Sequence, residues 1–458
     1  MLIFSFEKIS ILLQKQILRR IMGNIVAIVG RPNVGKSTLF NRLTGSKIAI
    51  TDPTSGVTRD RNYGKSNWNG KEFSVIDTGG YIQGGDDDFQ EEICDQVRLA
   101  IDEADVILFL VDTKEGLTAM DEEIADLLRK SRKKTLLVAN KVDTFQKSLT
   151  TPEFYSLGLG EIYSISAANG SGTGELLDEL VKDFKDEETF IDEEAELPHL
   201  AVVGRPNVGK SSFINMITGQ QRNIVKDLAG TTRDSINTRY TLFGFDFILV
   251  DTAGLRKKNA VKENIEFYST MRAIRSIETS DVCIVIVDAT EEFSAQDLNV
   301  FSLCERNNKG IVLVVNKWDK VEKETNTMKE YEAKIRQKIA PFSDVPIVFT
   351  SVINKQRIFK VLEQARKVFE NRKKQIPTSR LNEDLLPVVK EQNPPPEYKG
   401  KRVKVKYITQ LKTAYPQFVF YCNLPQYVKQ DYIRFLENRI RELYDFNGVP
   451  IKVYFREK

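Results

Sequence analysis

Two identical octapeptides, Gly30-Arg31-Pro32-Asn33-Val34-Gly35-Lys36-Ser37 and Gly204-Arg205-Pro206-Asn207-Val208-Gly209-Lys210-Ser211, stand 174 residues apart. Both fit G-x-x-x-x-G-K-[ST], a spacing that lets consecutive backbone N–H groups converge on a phosphate at a helix N-terminus. In that chemistry Lys36 and Lys210 reach the β- and γ-phosphates, and Ser37 and Ser211 offer hydroxyls to Mg2+. Thr38 and Ser212 follow them in the expected nucleotide-binding set. Asp77 ends the apolar run 73–76 and precedes Thr78-Gly79-Gly80, and Asp251 stands in the same way before Thr252-Ala253-Gly254. Such a carboxylate holds the metal's water shell, and the bare N–H of Gly80 or Gly254 can approach the γ-phosphate. Thr58 and Thr232, each in Thr-Arg-Asp, complete the expected Mg2+ ligands Ser37, Thr58, Asp77, Ser211, Thr232 and Asp251. Lys36, Thr58, Lys210 and Thr232 are the candidate catalytic residues.

Asn140-Lys141-Val142-Asp143 and Asn316-Lys317-Trp318-Asp319 select the base. The carboxylate accepts from the ring N–H and the exocyclic amine of guanine, whereas adenine offers an acceptor and no amine there. A buried acceptor left unpaired costs about 1–3 kcal/mol, so the motif favours GTP over ATP. The stem of Lys141 would lie along the purine, with Lys317 at the same place, and Ser166 and Ala167 would cap the base by backbone N–H. Ser351 keeps the serine of that loop but not the alanine or the glycine-rich turn, so the second base site reads as less complete.

These residues need a sheet to hold them. Apolar runs of strand length precede each phosphate loop and end at Asp77, Asp112 and Lys141, a run with helical spacing follows the first loop, and the second half repeats the order. Offsets of 174 through the phosphate motifs and 176 at the guanine motifs indicate a duplicated domain. The expected division is an N-terminal extension 1–23, a first domain 24–184, an acidic linker 185–197, a second domain 198–374 and a basic domain 375–458. The expected fold class is α/β: two tandem P-loop domains with mostly parallel sheets and flanking helices, followed by a smaller α+β domain.

The chain has 458 residues, 41% hydrophobic and 29% charged, a soluble composition that excludes both a disordered and a membrane-embedded chain. No run is long enough to span a bilayer. The first residues make a poor signal peptide, and Met22 is a candidate start. The four cysteines lack metal-site or disulfide spacing and read as thiols of a reducing cytosol. Net charge is +3, but from Lys355 onward 23 Lys/Arg face 11 Asp/Glu, giving +12 there and −9 before it. A tail of that sign suits a polyanion.

With these motifs the chain resembles the bacterial tandem GTPase family called Der or EngA, over about residues 22–458. The resemblance implies a cytoplasmic GTP-hydrolysing protein, here expected to be a monomer, that binds GTP and GDP and matures the large ribosomal subunit by docking on its rRNA. It also implies a C-terminal KH-like domain. Tyr81 and Leu255 occupy the slot where Ras-like GTPases carry a water-orienting glutamine. The resemblance suggests potassium in its place, held by Asn33 and Asn207. The tail reads as a helix from Ile358 to Lys374 and a second helix capped by Ser379. Strands at 402–407 and 417–421, a helix from Pro425 to Tyr444 and a strand at 451–455 follow. It carries no G-x-x-G clamp, leaving Lys401, Arg402, Lys404 and Lys406 as candidate phosphate contacts. The rival readings are a nucleotide-gated RNA-binding scaffold with negligible turnover and an RNA-modification GTPase.

Overall fold

The computed structural model describes residues 24–45, 63–81, 89–131, 133–143, 151–182, 184, 197–219, 226–228, 237–241, 243–250, 273–322, 324, 326–392, 394–395, 397 and 400–457. The N-terminal extension, Thr58, Thr232, Asp251, Gly254, Leu255 and nearly all of the acidic linker lie outside them. Among the described residues no helix is long and apolar enough to cross a membrane. All four cysteines are buried free thiols.

The first domain runs β1 (Asn24–Val29), α1 (Lys36–Gly45), β2 (Tyr63–Trp68), β3 (Lys71–Asp77), α2 (Phe89–Glu103), β4 (Val106–Asp112), α3 (Ala119–Ser131), β5 (Thr135–Asn140), β6 (Ile162–Ser164) and α4 (Thr173–Lys182). Its sheet has the order β2-β3-β1-β4-β5-β6, parallel except for the β2/β3 pair. Central strands buried on both faces need apolar side chains throughout, which is why 106–111 shows no alternation. Leu39, Leu43, Leu176 and Leu180 close one face of the core.

The register decides where the chemistry goes. Ile28 lies beside Asp77, and Asp112 beside Asn140. The phosphate loop, Asp77 and the guanine motif therefore leave the sheet at one carboxyl edge, where open α/β sheets bind ligands.

The second domain repeats this with β7 (His199–Val203), α5 (Lys210–Thr218), β8 (Lys226–Leu228), β9 (Asn237–Tyr240), β10 (Phe247–Leu249), β11 (Val282–Asp288), α6 (Ala295–Arg306), β12 (Gly310–Asn316), α7 (Thr327–Lys338), β13 (Ile347–Phe349) and α8 (Ile358–Lys373). Its sheet order is β13-β12-β11-β7-β10-β9-β8, and Asp288 lies beside Asn316. The tail follows as α9 (Thr378–Pro387), β14 (Val405–Leu411), β15 (Gln417–Cys422), α10 (Gln430–Leu443) and β16 (Lys452–Glu457). Its sheet is β14-β15-β16, antiparallel then parallel.

The tail departs from the sequence reading at its element ends. Helix α9 starts at Thr378 behind Pro377, so Ser379 sits inside the first turn and caps nothing. Strand β14 begins only at Val405 because Asn423 Oδ1 takes the Lys404 N–H at 2.7 Å, a bond that would otherwise belong to a ladder. Residues 425–427 form a separate 3-10 turn before α10. Tyr432, Leu436 and Ile440 are buried as core, as the helical spacing requires.

The tail is also tied to the second domain. Ile311 N donates to Gly448 O at 2.7 Å, Gly448 N donates to Asp344 O at 2.8 Å, and Val449 belongs to the second domain's core.

Candidate functional site

At the first loop Gly30 (φ 146°), Asn33 (φ 63°) and Gly35 (φ 99°) turn the chain through left-handed conformations. No regular ladder can hold such a backbone, so side chains do. Lys36 Nζ donates to Gly30 O at 2.7 Å and Arg31 O at 2.8 Å, and Asn140 Nδ2 donates to Val34 O at 2.8 Å. A Cβ on Gly35 would stand 2.4 Å from that same amide, so no other residue fits. Burial pushes the Lys36 ammonium down to about 8, with Arg31 adding to the fall and Asp77 opposing it. Because its two hydrogen-bond acceptors are neutral carbonyls that leave its charge uncompensated, the ammonium is suited to receive an anion.

Ser37 Oγ donates to Asp77 Oδ2 at 2.6 Å, and Gly79 N donates to Asp77 Oδ1 at 2.9 Å. A hydroxyl and a carboxylate in contact suit a small hard cation that takes its other ligands from phosphate and water. Among the described residues no cluster of three or more His, Cys, Asp or Glu could hold a metal by itself. Asn33 and Asn207 are exposed at the loop tips with φ 63° and 64°, a conformation that asparagine tolerates.

At the base end Asn140 Oδ1 accepts the Ala167 N–H at 2.9 Å, and Ser166 Oγ donates to Asp143 Oδ1 at 2.8 Å. Asn140 thus joins the phosphate loop to the loop after β6 through one carboxamide, and the backbone N–H groups expected to cap a base are already engaged, Ala167 by Asn140 and Ser166 by the Ser171 carbonyl at 3.0 Å. Lys141 (φ 69°) sends its ammonium to Asp112 Oδ2 at 2.5 Å, which fixes the stem that would lie along a purine.

The second site repeats most of this. Lys210 Nζ donates to Gly204 O at 2.7 Å and Arg205 O at 2.5 Å, Asn316 Nδ2 donates to Val208 O at 2.9 Å, and Lys317 pairs with Asp288. Its base loop differs as the sequence suggests: Ser351 Oγ accepts the Asn354 N–H at 3.2 Å instead of meeting Asp319. Val352 supplies the N–H that Ala167 supplies in the first site, at 3.3 Å from Asn316 Oδ1.

Sequence reasoning missed Val352, because only its backbone takes part. It also missed Asp112 and Asp288, and Arg31 and Arg205 with their carboxylates, although the 174/176 register of the repeat would have flagged all of them. Of the basic candidates in the tail, Lys401 reaches the Tyr427 hydroxyl at 3.2 Å and Arg402 pairs with Glu397, while Lys404 and Lys406 are exposed. His199 is buried with Nδ1 3.0 Å from Leu197 O.

The family model described as "50S ribosome-binding GTPase" matches residues 25–141 and again 199–317. The model described as "KH-domain-like of EngA bacterial GTPase enzymes, C-terminal" matches 375–456. The chain is 62% identical over 437 residues to GTPase Der of Christiangramia forsetii, covering 95% of this chain and 100% of that one. It is 59% identical to GTPase Der of Bacteroides fragilis and 53% identical to that of Porphyromonas gingivalis, with the same two coverages.

Proposed function

The chain belongs to the Der (EngA) family of GTPases, and from that membership we propose that it is a GTP-driven switch in the assembly of the large ribosomal subunit. It hydrolyses GTP, with the Mg2+ that such chemistry uses to neutralise developing phosphate charge. One observation carries the reading: a phosphate-loop lysine and a carboxamide linking that loop to the base loop meet at the carboxyl edge of a parallel sheet, twice in one chain.

In this reading Lys36 and Lys210 meet the β- and γ-phosphates, and Ser37 and Asp77 hold Mg2+ in the first domain. Ser211 and Asp251 do so in the second, with Thr58 and Thr232 added in the loaded states. Asn140, Asp143, Asn316 and Asp319 read guanine. Potassium at Asn33 and Asn207 stands in for the absent glutamine. The domains divide as 24–184, 198–374 and 375–458, and the protein acts as a cytoplasmic monomer. Exposed Lys404 and Lys406 contact rRNA phosphate.

Co-sedimentation with large ribosomal subunits tests this, with GDP, with a non-hydrolysable GTP analogue, and with Asp143→Asn or Asp319→Asn. Binding favoured by the analogue and lost in one variant is expected. Equal binding in every state would leave a GTPase whose target lies elsewhere.

A further inference from the structure

The arginine after the first glycine of each loop is held more firmly than a surface residue needs to be. Arg31 Nε donates to Asp121 Oδ2 at 3.3 Å, and its Nη1 donates to Glu115 Oε2 at 2.5 Å. Arg205 Nε donates to Asp297 Oδ1 at 2.7 Å, and its Nη1 lies 2.9 Å from Glu291 Oε2. Asp121 and Asp297 are fully buried and have a second task. Each closes the head of its helix, α3 or α6, by accepting from Thr118 Oγ1 or Ser294 Oγ at 2.8 Å.

On its other side the same arginine holds the lysine. The Arg31 carbonyl accepts Lys36 Nζ and the Arg205 carbonyl accepts Lys210 Nζ. One residue therefore connects a helix head, through its guanidinium, to the phosphate-binding ammonium, through its carbonyl. In both copies Nη2 is buried and has no hydrogen-bond partner among the described residues.

We propose that Arg31 and Arg205 are positioning residues, gripping the capping carboxylate so that Lys36 and Lys210 stand at the height of the β-phosphate. The proposal rests on the reading of these loops as the phosphate sites. It predicts an effect confined to the phosphate that the lysine meets. Loss of the anchor should weaken GDP far more than GMP.

The test is equilibrium dialysis of GDP and GMP against the full chain carrying Arg205→Met or Arg205→Lys. Asp143→Asn removes the first guanine site from the measurement. Arg31 is examined in the same way with Asp319→Asn. For Arg205→Met, GDP affinity should fall about tenfold or more, within the roughly hundredfold that misplacing a positioned group by about 1 Å can cost. GMP affinity should fall by less than about threefold, and Arg205→Lys should lie between.

An unchanged GDP-to-GMP ratio overturns the proposal, whether both affinities persist or both fall together. Should Arg205→Met lose its folded circular dichroism, the ratio for Arg205→Lys decides alone. The underlying reading fails separately: the unsubstituted arginine chain would then show no preference for GDP over GMP.

Discussion

At the first base site Asp143 is held from two sides, by the Ser166 hydroxyl at 2.8 Å and by the Lys114 ammonium at 3.3 Å. At the second, Ser351 turns to its own loop, Thr290 stands where Lys114 would, and among the described residues Asp319 has no ion pair. Among the described residues the phosphate loops show no such divergence, since Lys36 and Lys210 grip the same pair of carbonyls. Duplication has kept the phosphate loop and relaxed the loop at the base end. Charge neutralisation tolerates little displacement, whereas a purine can be bounded by any adequate backbone N–H.

The largest expected difference lies in the carboxamides. Asn140→Ala leaves Val34 O and Ala167 N unpaired and buried, each costing about 1–3 kcal/mol, so GDP affinity at the first site should fall on the order of a hundredfold. Asn316 holds Val352 N and Thr350 Oγ1 only at 3.3 and 3.4 Å. The loss from Asn316→Ala should be closer to about tenfold, because long bonds have less to lose. Titration with a fluorescent GDP, the other site removed by Asp143→Asn or Asp319→Asn, reads both. Equal losses would mean that the relaxed base loop tightens on binding and that the comparison holds only without nucleotide.

The sequence made the phosphate loops, Asp77 and the guanine motifs legible because each is a short run whose spacing is its chemistry. It hid the anchors of Arg31, whose partners lie 84 and 90 residues away and read as acidic residues around an ordinary helix N-terminus. It also hid the role of Val352, since a backbone N–H carries no side-chain signature. In the tail, helix and strand order could be read from periodicity, but the start of β14 could not. That start depends on one side-chain acceptor, Asn423, contributed from beyond the next strand.

The two domains also differ in how their cores are closed. Each uses its own last helix, α4 or α8, but the second also admits Val449 from the loop before β16. Gly448 in that loop has φ 77°, and a Cβ there would stand 2.5 Å from Val368 and 2.9 Å from the Ile311 carbonyl. Gly448→Ala should therefore destabilise the second domain by about 1–3 kcal/mol while leaving the first unchanged. Hydrogen exchange resolved by segment should report faster exchange in β12 and normal exchange in β5. Uniform acceleration across both sheets would show that the cores are not independent.

The smallest effect concerns Lys114, whose ammonium meets Asp143 with both side chains well exposed, 49% and 37%. An exposed pair is worth roughly 0.2–1 kcal/mol. Guanine needs the same carboxylate as an acceptor, so the pair competes with the ligand. Lys114→Thr, which copies the second domain, should therefore raise GDP affinity at the first site by up to about fivefold at low salt. Thr290→Lys should lower it at the second by a similar factor, provided the introduced ammonium reaches Asp319. Both differences should shrink at about 1 M salt, where the Debye length of about 3 Å falls below the 3.3 Å span of the pair. If Lys114→Thr instead weakens GDP binding, the ammonium serves the nucleotide directly. The first base site would then be better equipped than the second, and not merely more encumbered.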